Sequence, residues 1–361
     1  MAPPASPSAS WPVGLDLYEP VPALAPEIVR LAFNESPLGP FPAARAAIAD
    51  HAELAGRYPE LDGTLIERLR ELHGLGPGMV ALGNGADAII GYLSAAYLRP
   101  GDEVVTAWPS FPTYLSDAAK QGATVTRVAL REGAIDLDAI AAAVGPKTRL
   151  VWACTPNNPT GGAVSADALE TCLDRIDERV LVVVDEAYIE FCEPGTVADA
   201  MAHVRTRANV ASLRTFSKMF GLAGMRVGWL AAPAPVVEAV GRSRHYYDIG
   251  ALPALAALAS LDDAEELRRR RAENARLRGL LRDGMQRLGH ASLPSSTNFV
   301  AVEVGDADAV SDRLLAQGVA TRSLSGLGCP ELLRVTVGDE QQIARLLELL
   351  PAAAQTAAVS S

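Results

Sequence analysis

Lysine is scarce in this chain, and one lysine stands among residues that could support covalent chemistry. Of the 32 basic side chains only Lys120, Lys147 and Lys218 are lysines. A lysine amine can lose its proton and form a Schiff base with an aldehyde, whereas an arginine guanidinium stays protonated. Lys218 lies in the segment 214–226 (RTFSKMFGLAGMR). A lone Ser-Lys pair in such a loop is ordinarily a solvated basic residue, so its neighbours must decide whether it is reactive.

Three apolar runs end in polar motifs. In an open parallel sheet, ligands bind beyond the carboxyl ends of the strands, where the loops meet, so these motifs define a candidate site. The runs and motifs are 180–184 before Asp185-Glu-Ala-Tyr188, 149–154 before Thr-Pro-Asn-Asn158-Pro-Thr-Gly-Gly, and 80–82 before Gly-Asn-Gly85-Ala86-Asp87.

The third motif predicts an anion cradle. It joins a strand to a helix, so free backbone N–H groups and the positive end of the helix dipole face whatever lies above Gly85, Ala86 and Asp87. The first motif places the carboxylate of Asp185 at the rim of the sheet. Each motif alone is weak, because an aspartate often caps a helix, Asn-Pro-Thr-Gly is an ordinary turn and one Gly-x-Gly is common. Only the combination predicts a site.

The apolar run that ends in Asp-Glu also resembles the Walker B strand of a nucleotide-binding protein. That class requires a Gly-x-x-x-x-Gly-Lys-Ser/Thr loop for the phosphates. No Gly-Lys pair occurs anywhere in the chain. The sequence therefore argues against an ordinary P-loop NTPase.

Taken together, these residues meet the needs of pyridoxal phosphate. That cofactor requires a lysine that can form an imine, a phosphate cradle, a carboxylate that holds a pyridinium proton, and a tyrosine and an asparagine that bind a phenolate. Over roughly residues 16 to 349 the chain resembles a fold-type I, class II aminotransferase of the histidinol-phosphate aminotransferase family. Besides the motifs already described, the resemblance rests on segments 31–37 (LAFNESP), 57–59 (RYP), 111–114 (FPTY), 297–299 (TNF) and 333–337 (LRVTV).

The resemblance implies a role for each cofactor-binding residue. Lys218 forms the imine and then serves as the base and acid that moves a proton between the substrate Cα and the cofactor C4′. Asp185 keeps the pyridine nitrogen protonated, which makes the ring an electron sink. The other expected contacts are Tyr188 and Asn158 with the O3′ oxygen, Phe111 stacked on the ring, and Gly85, Ala86, Asp87, Thr215, Ser217 and Arg226 around the phosphate.

The resemblance also implies shared active sites and a set of substrate contacts. Tyr58 is expected to reach the phosphate held by the neighbouring subunit, which implies a homodimer. Arg334 is expected to bind the substrate carboxylate, and Arg322 lies where the family often has a second arginine for a substrate phosphate. Two arginines facing one pocket would suit glutamate, 2-oxoglutarate or a phosphate ester. Asn34 and Tyr18 complete the expected substrate-binding residues.

Two segments depart from the family pattern. The element Tyr-x-Pro-Gly-Lys is replaced at residues 18–22 by Tyr-Glu-Pro-Val-Pro, which lacks the glycine and the cation. Residues 246–250 (YYDIG) replace a more apolar or serine-bearing segment. An aspartate near an anion-binding pocket raises the cost of binding a phosphate. Asp248 therefore favours an unusual donor.

We expect a transaminase that moves an amino group between an amino donor and a 2-oxo acid, with 2-oxoglutarate as the acceptor. Histidinol phosphate is the leading donor, which would place the protein in histidine biosynthesis. Phenylalanine or tyrosine is the second candidate, and another biosynthetic donor is the third. A protein that keeps the fold and uses pyridoxal phosphate for regulation or decarboxylation stays open, although Lys218 and Arg334 argue against it.

The chemistry requires a scaffold, and short apolar runs alternate with longer amphipathic ones along most of the chain. This alternation predicts an α/β fold with a largely parallel sheet that helices cover on both faces. The predicted strands are 79–82, 103–107, 124–128, 149–153, 180–184, 210–213 and 227–231, and the helices between them include 86–98, 111–121, 137–144 and 166–176.

The pattern changes after about residue 250 to that of a smaller α+β domain, with a helix over 263–288, a strand over 298–304, a helix over 307–317 and a strand over 332–337. Both ends of the chain are poor in residues that could be buried. We expect disordered tails at 1–12 and 351–361, an N-terminal segment 13–38 packed on the small domain, a large cofactor-binding domain 39–250 and the small domain 251–350.

Composition excludes several classes of function. A net charge of −11 and a pI near 5.0 argue against nucleic acid or anionic lipid as a partner. The basic run 268–271 is flanked by glutamates at helical spacing and predicts a solvated helix face. The four cysteines and five histidines show no metal-ligand spacing, so no metal is expected. No apolar run is long enough to cross a membrane and no signal peptide begins the chain, so we expect a soluble cytoplasmic protein with reduced thiols.

Overall fold

The computed structural model describes Ala25 and residues 27–355. The chain enters through a two-residue strand, β1 (Val29–Arg30), which belongs to a small sheet. A seven-stranded sheet forms the centre of the larger part of the molecule. Its strands are β2 (Val80–Asn84), β3 (Glu103–Trp108), β4 (Thr124–Ala129), β5 (Thr148–Cys154), β6 (Leu181–Asp185), β7 (Val210–Thr215) and β8 (Val227–Ala231).

The strand order β2-β8-β7-β6-β5-β3-β4 brings the candidate motifs to one edge of the sheet. Strand β8 runs antiparallel to both of its neighbours, and the other adjacent pairs are parallel. Cys154 at the end of β5 therefore lies beside Asp185 at the end of β6, which lies beside Leu213 of β7. The α/β fold class and the seven predicted strands are confirmed.

Strand β6 shows why the sheet is covered on both faces. Its side chains alternate, so that Val182 and Val184 belong to one hydrophobic core and Leu181 and Val183 to the other. A strand buried on both faces reads as a continuous apolar run. The covering helices are α1 (Pro42–Asp50), α2 (Asp62–His73), α3 (Gly85–Tyr97), α4 (Thr113–Lys120), α5 (Leu137–Ala143), α6 (Ala166–Arg175), α7 (Met201–Val204), α8 (Ala234–Ser243) and α9 (Ala251–Leu261).

The C-terminal part of the chain forms a second group of helices and strands with a sheet and a core of its own. The antiparallel sheet β11-β12-β9 lies at its centre. Strand β1 pairs in parallel with β10, and the next residue, Leu31, packs in the core of this part. Its elements are α10 (Ala264–Arg287), β9 (Phe299–Glu303), α11 (Ala307–Ala316), β10 (Val319–Ala320), β11 (Arg322–Leu324), β12 (Cys329–Thr336) and α12 (Glu340–Gln355).

Among the described residues, five helices begin at a side-chain cap. Asp136, Ser165, Asp263, Asp306 and Asp339 each accept a hydrogen bond from the backbone N–H three residues later, at the starts of α5, α6, α10, α11 and α12. Such a cap satisfies one of the N–H groups that a helix end leaves without a partner, and it stabilises a helix by about 1 kcal/mol. The short polar residue before each apolar stripe thus fixes where the helix begins.

The C-terminal boundary differs from the prediction. Helix α12 continues to Gln355, whereas the sequence predicts a disordered tail from residue 351. Ile343, Leu346, Leu350 and Ala353 recur at helical spacing and are all buried, so the apolar stripe extends past Pro351 and keeps the last turn packed. Residues 356–361, the predicted tail 1–12 and Tyr18 lie outside the described residues.

The basic run 268–271 is only partly a solvated face. Arg270 is 3% exposed, and it donates hydrogen bonds to the Glu266 carboxylate and to the backbone carbonyls of Gly39 and Pro40. It also lies over the ring of Phe41, 4.4 Å from the centroid. The expectation of a wholly solvated face is wrong for this residue, because Arg270 joins α10 to residues 39–41, which precede α1.

Within the described ranges, the helices are too short or too polar to traverse a bilayer. The same residues contain no group of three or more histidine, cysteine, aspartate or glutamate side chains that could hold a metal ion. Cys154, Cys172 and Cys192 are buried free thiols, whereas Cys329 is partly exposed.

Gly221 allows the loop that contains Lys218 to pack closely on the backbone of Gly39. Its φ is +69°, and a Cβ atom built on it would lie 1.9 Å from the carbonyl oxygen of Gly39. Its backbone N–H donates to the carbonyl of Lys218 at 3.1 Å. Only glycine meets both the left-handed conformation and the close approach without strain. Gly224 in the same loop differs, because a Cβ atom added to it would meet no atom within 4 Å and its φ is not positive.

We expect Gly221→Ala to destabilise the protein by at least about 2 kcal/mol, because a left-handed alanine alone costs about 1–2 kcal/mol and the clash with Gly39 adds to it. Gly224→Ala is the matched control and should be nearly neutral. Thermal unfolding of the two variants beside the parent chain measures the difference. Equal midpoints for both variants would contradict the close contact described here.

Candidate active site

Lys218 lies in the loop that follows β7, at the edge of the sheet where the motifs meet. The loop is held by Thr215, whose side-chain oxygen accepts from the backbone N–H of Ser217 at 3.1 Å. The Lys218 amine donates to the carbonyl of Phe33 at 3.4 Å. Burial, aided by the charge of Arg334, lowers the pKa of the Lys218 amine to about 8. An appreciable fraction of this amine is therefore neutral and nucleophilic near physiological pH.

Asp185 is the last residue of β6 and is buried. Its Oδ2 accepts from the hydroxyl of Tyr114 at 2.5 Å, and its Oδ1 accepts from the backbone N–H of Ala187 at 3.0 Å. Burial raises the pKa of the Asp185 carboxyl to about 6, and the hydrogen bonds from Tyr114 and Ala187 oppose that rise. A buried carboxylate of this kind favours a cationic N–H partner, because such a partner restores the ionised form.

Glu186, the next residue, faces the opposite side of the sheet and anchors the strand end. Its carboxylate accepts from the hydroxyl of Ser212, the guanidinium of Arg214 and the backbone N–H of Ala200. Arg214 also donates to Asp199 at 2.8 Å. A buried acid with a full set of hydrogen-bond donors holds the backbone rigidly, which fixes the direction in which Asp185 points.

Tyr114 is a site residue that sequence reasoning missed. Its ring stacks on Trp152 at 4.8 Å and meets Phe111 edge-on at 5.7 Å, while its hydroxyl donates to Asp185. The sequence held a signal for Tyr114, since this residue belongs to the segment 111–114. In the structure, the N–H of Tyr114 donates to the carbonyl of Phe111 in a tight turn that brings both rings to one side.

Tyr188 and Asn34 meet across the cavity. The side-chain amide of Asn34 donates to the Tyr188 hydroxyl at 2.9 Å. Asn34 has a φ of +55° and its backbone N–H donates to the Thr336 hydroxyl, so its orientation is fixed by β12. Burial raises the pKa of the Tyr188 phenol, and the nearby charge of Arg334 opposes that rise. Tyr188 therefore stays protonated and can donate a hydrogen bond.

Two adjacent asparagines in the loop after β5 have different roles. Asn157 is buried and braces the loop, because its side chain donates to Pro109 and Thr160 and accepts from the hydroxyl of Ser110. Asn158 instead faces the cavity, where its side-chain oxygen accepts from Arg334 at 2.6 Å. The rigid turn thus presents one amide to the ligand space.

The start of α3 lies where the sequence predicts an anion cradle. Gly85 has a φ of +76°, and its N–H donates to the carbonyl of Arg226 at 2.9 Å. Arg226 itself has a φ of +54°, and its guanidinium donates to Asp87 at 2.9 Å and to Ser217 at 3.4 Å. A Cβ atom on Gly228 would lie 2.4 Å from the backbone nitrogen of Ala86, so β8 supports the cradle closely from below.

Arg334 extends from β12 into the same cavity. Its two terminal nitrogens donate to Asn158 and to the carbonyl of Ala32, at 2.6 and 2.7 Å. Its Nε is buried and has no hydrogen-bond acceptor among the described residues. Burial lowers the pKa of the Arg334 guanidinium to about 10, and the neighbouring positive charge of Arg322 adds to that effect. The guanidinium is therefore a partly buried cation whose bonded acceptors are both neutral oxygens.

These residues enclose a cavity of about 430 Å³, within the range of about 300–1,000 Å³ that is typical of small-molecule sites. The structure brings most of the predicted site residues together at its wall. Those residues are Asn34, Ala86, Asp87, Phe111, Asn158, Asp185, Tyr188, Thr215, Ser217, Lys218, Arg226 and Arg334.

Three predicted residues do not line the cavity. Gly85 shapes the cradle from behind, where a Cβ atom would overlap the Arg226 guanidinium. Tyr58 is 74% exposed and stacks on Tyr247 at 4.3 Å, outside the cavity of its own chain. Arg322 is exposed on β11, opposite Arg334 in the antiparallel register.

Several lining residues were given no role from the sequence. Arg30 forms an ion pair with Glu35 at 2.9 Å and lies over the ring of Phe33, 5.3 Å from its centroid. All three residues and Cys154 contribute to the wall. The segment 31–37 was a usable signal for Phe33 and Glu35, because both adjoin Asn34, whereas the position of Cys154 follows only from the strand register.

The side chains of this cavity fit pyridoxal phosphate. A buried amine of lowered pKa can take up an aldehyde, and a buried carboxyl of raised pKa can hold a pyridinium N–H. The helix start with Arg226, Ser217 and Thr215 can hold a phosphate. The phenol of Tyr188 and the amide of Asn158 can donate to a phenolate oxygen.

Comparison with known proteins agrees with this fit. Residues 26–350 match the family described as aminotransferase class I and II. The chain is 40% identical over 342 residues to histidinol-phosphate aminotransferase 2 of Ralstonia nicotianae, covering 93% of this chain and 91% of that protein. It is 37% identical over 330 residues to histidinol-phosphate aminotransferase 1 of Dechloromonas aromatica, covering 90% and 89% of the two chains.

A solved structure gives the same result. The histidinol-phosphate aminotransferase of Sinorhizobium meliloti, in complex with pyridoxal 5′-phosphate, superposes with a TM-score of 0.86 at 28% identity, covering 93% of this chain and 96% of that chain. The fold, the order of the motifs and the similarity to known proteins therefore agree. The chain belongs to the class I and II aminotransferase family, and it is a pyridoxal-phosphate-dependent transaminase of fold type I that resembles the histidinol-phosphate aminotransferases.

Proposed function

We propose that this transaminase takes its amino group from histidinol phosphate and transfers it to 2-oxoglutarate, as a step of histidine biosynthesis. The names of its relatives support this donor. The observation in the structure that carries the proposal is Arg334, a guanidinium in the cavity wall that donates to two neutral oxygens and forms no ion pair with a carboxylate of the described residues. A planar arginine fork binds carboxylate and phosphate alike.

One anion site can serve both substrates. In 2-oxoglutarate a carboxylate is bonded directly to the oxo carbon, and in histidinol phosphate a phosphate is joined to the amino carbon through a CH2–O linkage. Arg322 supports the same assignment, because its positive charge contributes to the lowered pKa of Arg334. An anion bound beside Arg334 would relieve that repulsion. Arg322 thus contributes to the field of the site without lining the cavity.

Pyridoxal phosphate, when bound, supplies an aldehyde that takes up the amino group and a ring that withdraws electrons. In our proposal Lys218 holds that aldehyde and then carries a proton to and from the substrate Cα. An amine with a pKa near 8 suits both directions of proton transfer near neutral pH. Asp185 holds the proton on the ring nitrogen, and Tyr188 with Asn158 binds the O3′ oxygen.

The remaining residues bind and orient. The N–H groups of Ala86 and Asp87, with Thr215, Ser217 and Arg226, hold the phosphate in this proposal. Phe111 lies in the cavity wall beside Tyr114 and can stack on the ring.

We further propose that Tyr58 completes the site of a partner subunit in a homodimer. Its side chain is 74% exposed and lies away from the cavity of its own chain. It stacks on Tyr247, whose side chain is also exposed, so the pair forms an aromatic projection. An exposed aromatic pair of this kind suits an interface.

A donor panel tests the substrate. We expect histidinol phosphate to convert the bound cofactor to its amine form, followed by absorbance, and 2-oxoglutarate to reverse the change. Histidinol without the phosphate is the matched control and should have a kcat/KM at least about tenfold lower, because it lacks the charged hydrogen bonds to Arg334. Turnover of phenylalanine or tyrosine without turnover of histidinol phosphate would replace the proposed donor by an aromatic one, which Phe33 and Phe111 in the wall would suit.

Lys218 can be tested separately from turnover. Protein reconstituted with pyridoxal phosphate and treated with borohydride should gain the mass of one cofactor per chain. Lys218→Ala and Lys218→Arg should gain none, because neither side chain can form the bond, and both should lose nearly all activity. Lys147→Ala, which removes an exposed lysine, is the control and should label like the parent chain. Labelling of the Lys218 variants would exclude the proposed attachment.

Arg334→Ala should raise the KM for 2-oxoglutarate and for histidinol phosphate by about 10–100-fold, since hydrogen bonds to a charged group contribute about 1.5–3 kcal/mol. The cofactor should stay bound. The KM values of Arg334→Lys should fall between those of the parent chain and those of Arg334→Ala, because lysine keeps the charge but lacks the planar arginine fork. Arg345→Ala, which breaks an exposed ion pair with Glu348, serves as the control. An unchanged KM for both substrates in Arg334→Ala would remove this role.

A further inference from the structure

Asp248, which the sequence singled out as a departure from the family pattern, lies behind the phosphate cradle. Its side chain is only 6% exposed, and it is not part of the cavity wall. The chain turns sharply just before it, because Tyr247 has a φ of +54°. Tyr246 and Tyr247 are therefore exposed while Asp248 points inward. The expectation that this aspartate disfavours a phosphate ligand is wrong, because its carboxylate faces other groups.

Asp248 has a full set of partners. Its Oδ2 accepts from the backbone N–H of Asn84 at 3.1 Å, and its Oδ1 accepts from the hydroxyl of Tyr92 at 2.8 Å. Its backbone carbonyl accepts from the side-chain amide of Asn84, also at 3.1 Å. The guanidinium of Arg244 lies 3.7 Å from the carboxylate and offsets its charge. Asp248 thus grips Asn84 by both its main chain and its side chain.

Asn84 occupies the position where this grip has a chemical consequence. It is the last residue of β2 and the N-cap residue of α3. An asparagine at that position ordinarily caps the helix, and its side-chain oxygen then accepts from the N–H of the second or third helical residue. In α3 those residues are Ala86 and Asp87, whose N–H groups form the cradle.

The structure shows that this cap is not made. The side chain of Asn84 forms no cap hydrogen bond, and its amide group is turned to the carbonyl of Asp248 instead. The N–H groups of Ala86 and Asp87, two residues that line the cavity, are therefore not bound by the Asn84 side chain. The side chain best placed to compete with a bound phosphate is held away from it.

We propose that Asp248 is a positioning residue for the cofactor phosphate: by holding Asn84 it keeps the cradle N–H groups available and fixes the direction of the loop that presents them. This inference rests on the proposed phosphate site at Ala86 and Asp87. In this inference Asn84, Tyr92 and Asp248 hold the loop that binds the phosphate of the cofactor. They do not affect the contacts to the cofactor ring.

The test compares pyridoxal phosphate with pyridoxal, which lacks the phosphate, as ligands of the apoprotein. Titrations followed by absorbance give both dissociation constants. The dissociation constant of pyridoxal divided by that of pyridoxal phosphate is the ratio that measures the contribution of the phosphate. We expect Asp248→Ala to lower this ratio by at least about tenfold through weaker binding of pyridoxal phosphate, with binding of pyridoxal unchanged. Activity of the loaded enzyme is not needed for this readout.

Conservative variants make the test sharper. Asp248→Asn should keep the ratio within about threefold of the parent chain, because its side-chain oxygen can accept from Asn84 while its amide donates to the Tyr92 hydroxyl. Tyr92→Phe should lower the ratio by about two- to fivefold, since it removes one hydrogen bond and leaves the grip on Asn84. If Asp248→Ala does not fold, Tyr92→Phe decides: an unchanged ratio overturns the inference.

The remaining outcomes are equally distinct. Equal weakening of both ligands in Asp248→Ala would show a general structural role and overturn the inference, as would no change in either. Arg226→Gln, measured in the same assay, tests the phosphate site itself. If Arg226→Gln lowers the ratio and Asp248→Ala does not, only this inference fails. If Arg226→Gln leaves the ratio unchanged, the proposed phosphate site is wrong and the inference falls with it.

Discussion

One cavity holds two ionisable groups of opposite charge, Lys218 and Asp185, where little solvent reaches them, and the surrounding elements fix their positions. Lys218 and Asp185 have pKa values displaced toward each other, to about 8 and about 6, because a poorly solvated cavity disfavours both charged forms. Asp185 ends β6 and Lys218 lies in the loop that follows the adjacent strand β7, and the two side chains do not form an ion pair. In the proposed site, pyridoxal phosphate would relieve both costs, since it would offer an aldehyde to the amine and a ring N–H to the carboxylate.

Rigid support makes this arrangement possible. Asp185 and Glu186 alternate across the sheet, so the functional acid faces the cavity while its neighbour is held by Arg214 and Ser212 on the far side. Replacing such a buried network by apolar residues often stabilises a protein, which indicates that its value here lies in fixing geometry. The Lys218 loop is held similarly by the close contact between Gly221 and Gly39.

The arginines of the cavity differ in what they are free to bind. Arg226 and Arg30 are paired with the carboxylates of Asp87 and Glu35, so an anion that binds there competes with an existing partner. Arg334 instead donates to two neutral oxygens. Its charge is therefore not cancelled by a carboxylate, and it can attract an anionic substrate from within the cavity. Three arginines with the same chemistry thus have different functions because of their neighbours.

Local patterns were enough to predict the parallel sheet, the cofactor and most residues that line the cavity: apolar runs that end in polar motifs, and one lysine between glycine turns. Contacts between distant segments became visible only in the folded chain. Hydrogen bonds from Tyr114 to Asp185, from Arg270 to Gly39 and from Asn84 to Asp248 each join residues far apart in the chain. A hydrogen bond between such residues leaves no periodic trace in a single sequence, since its partners meet only once the core has packed.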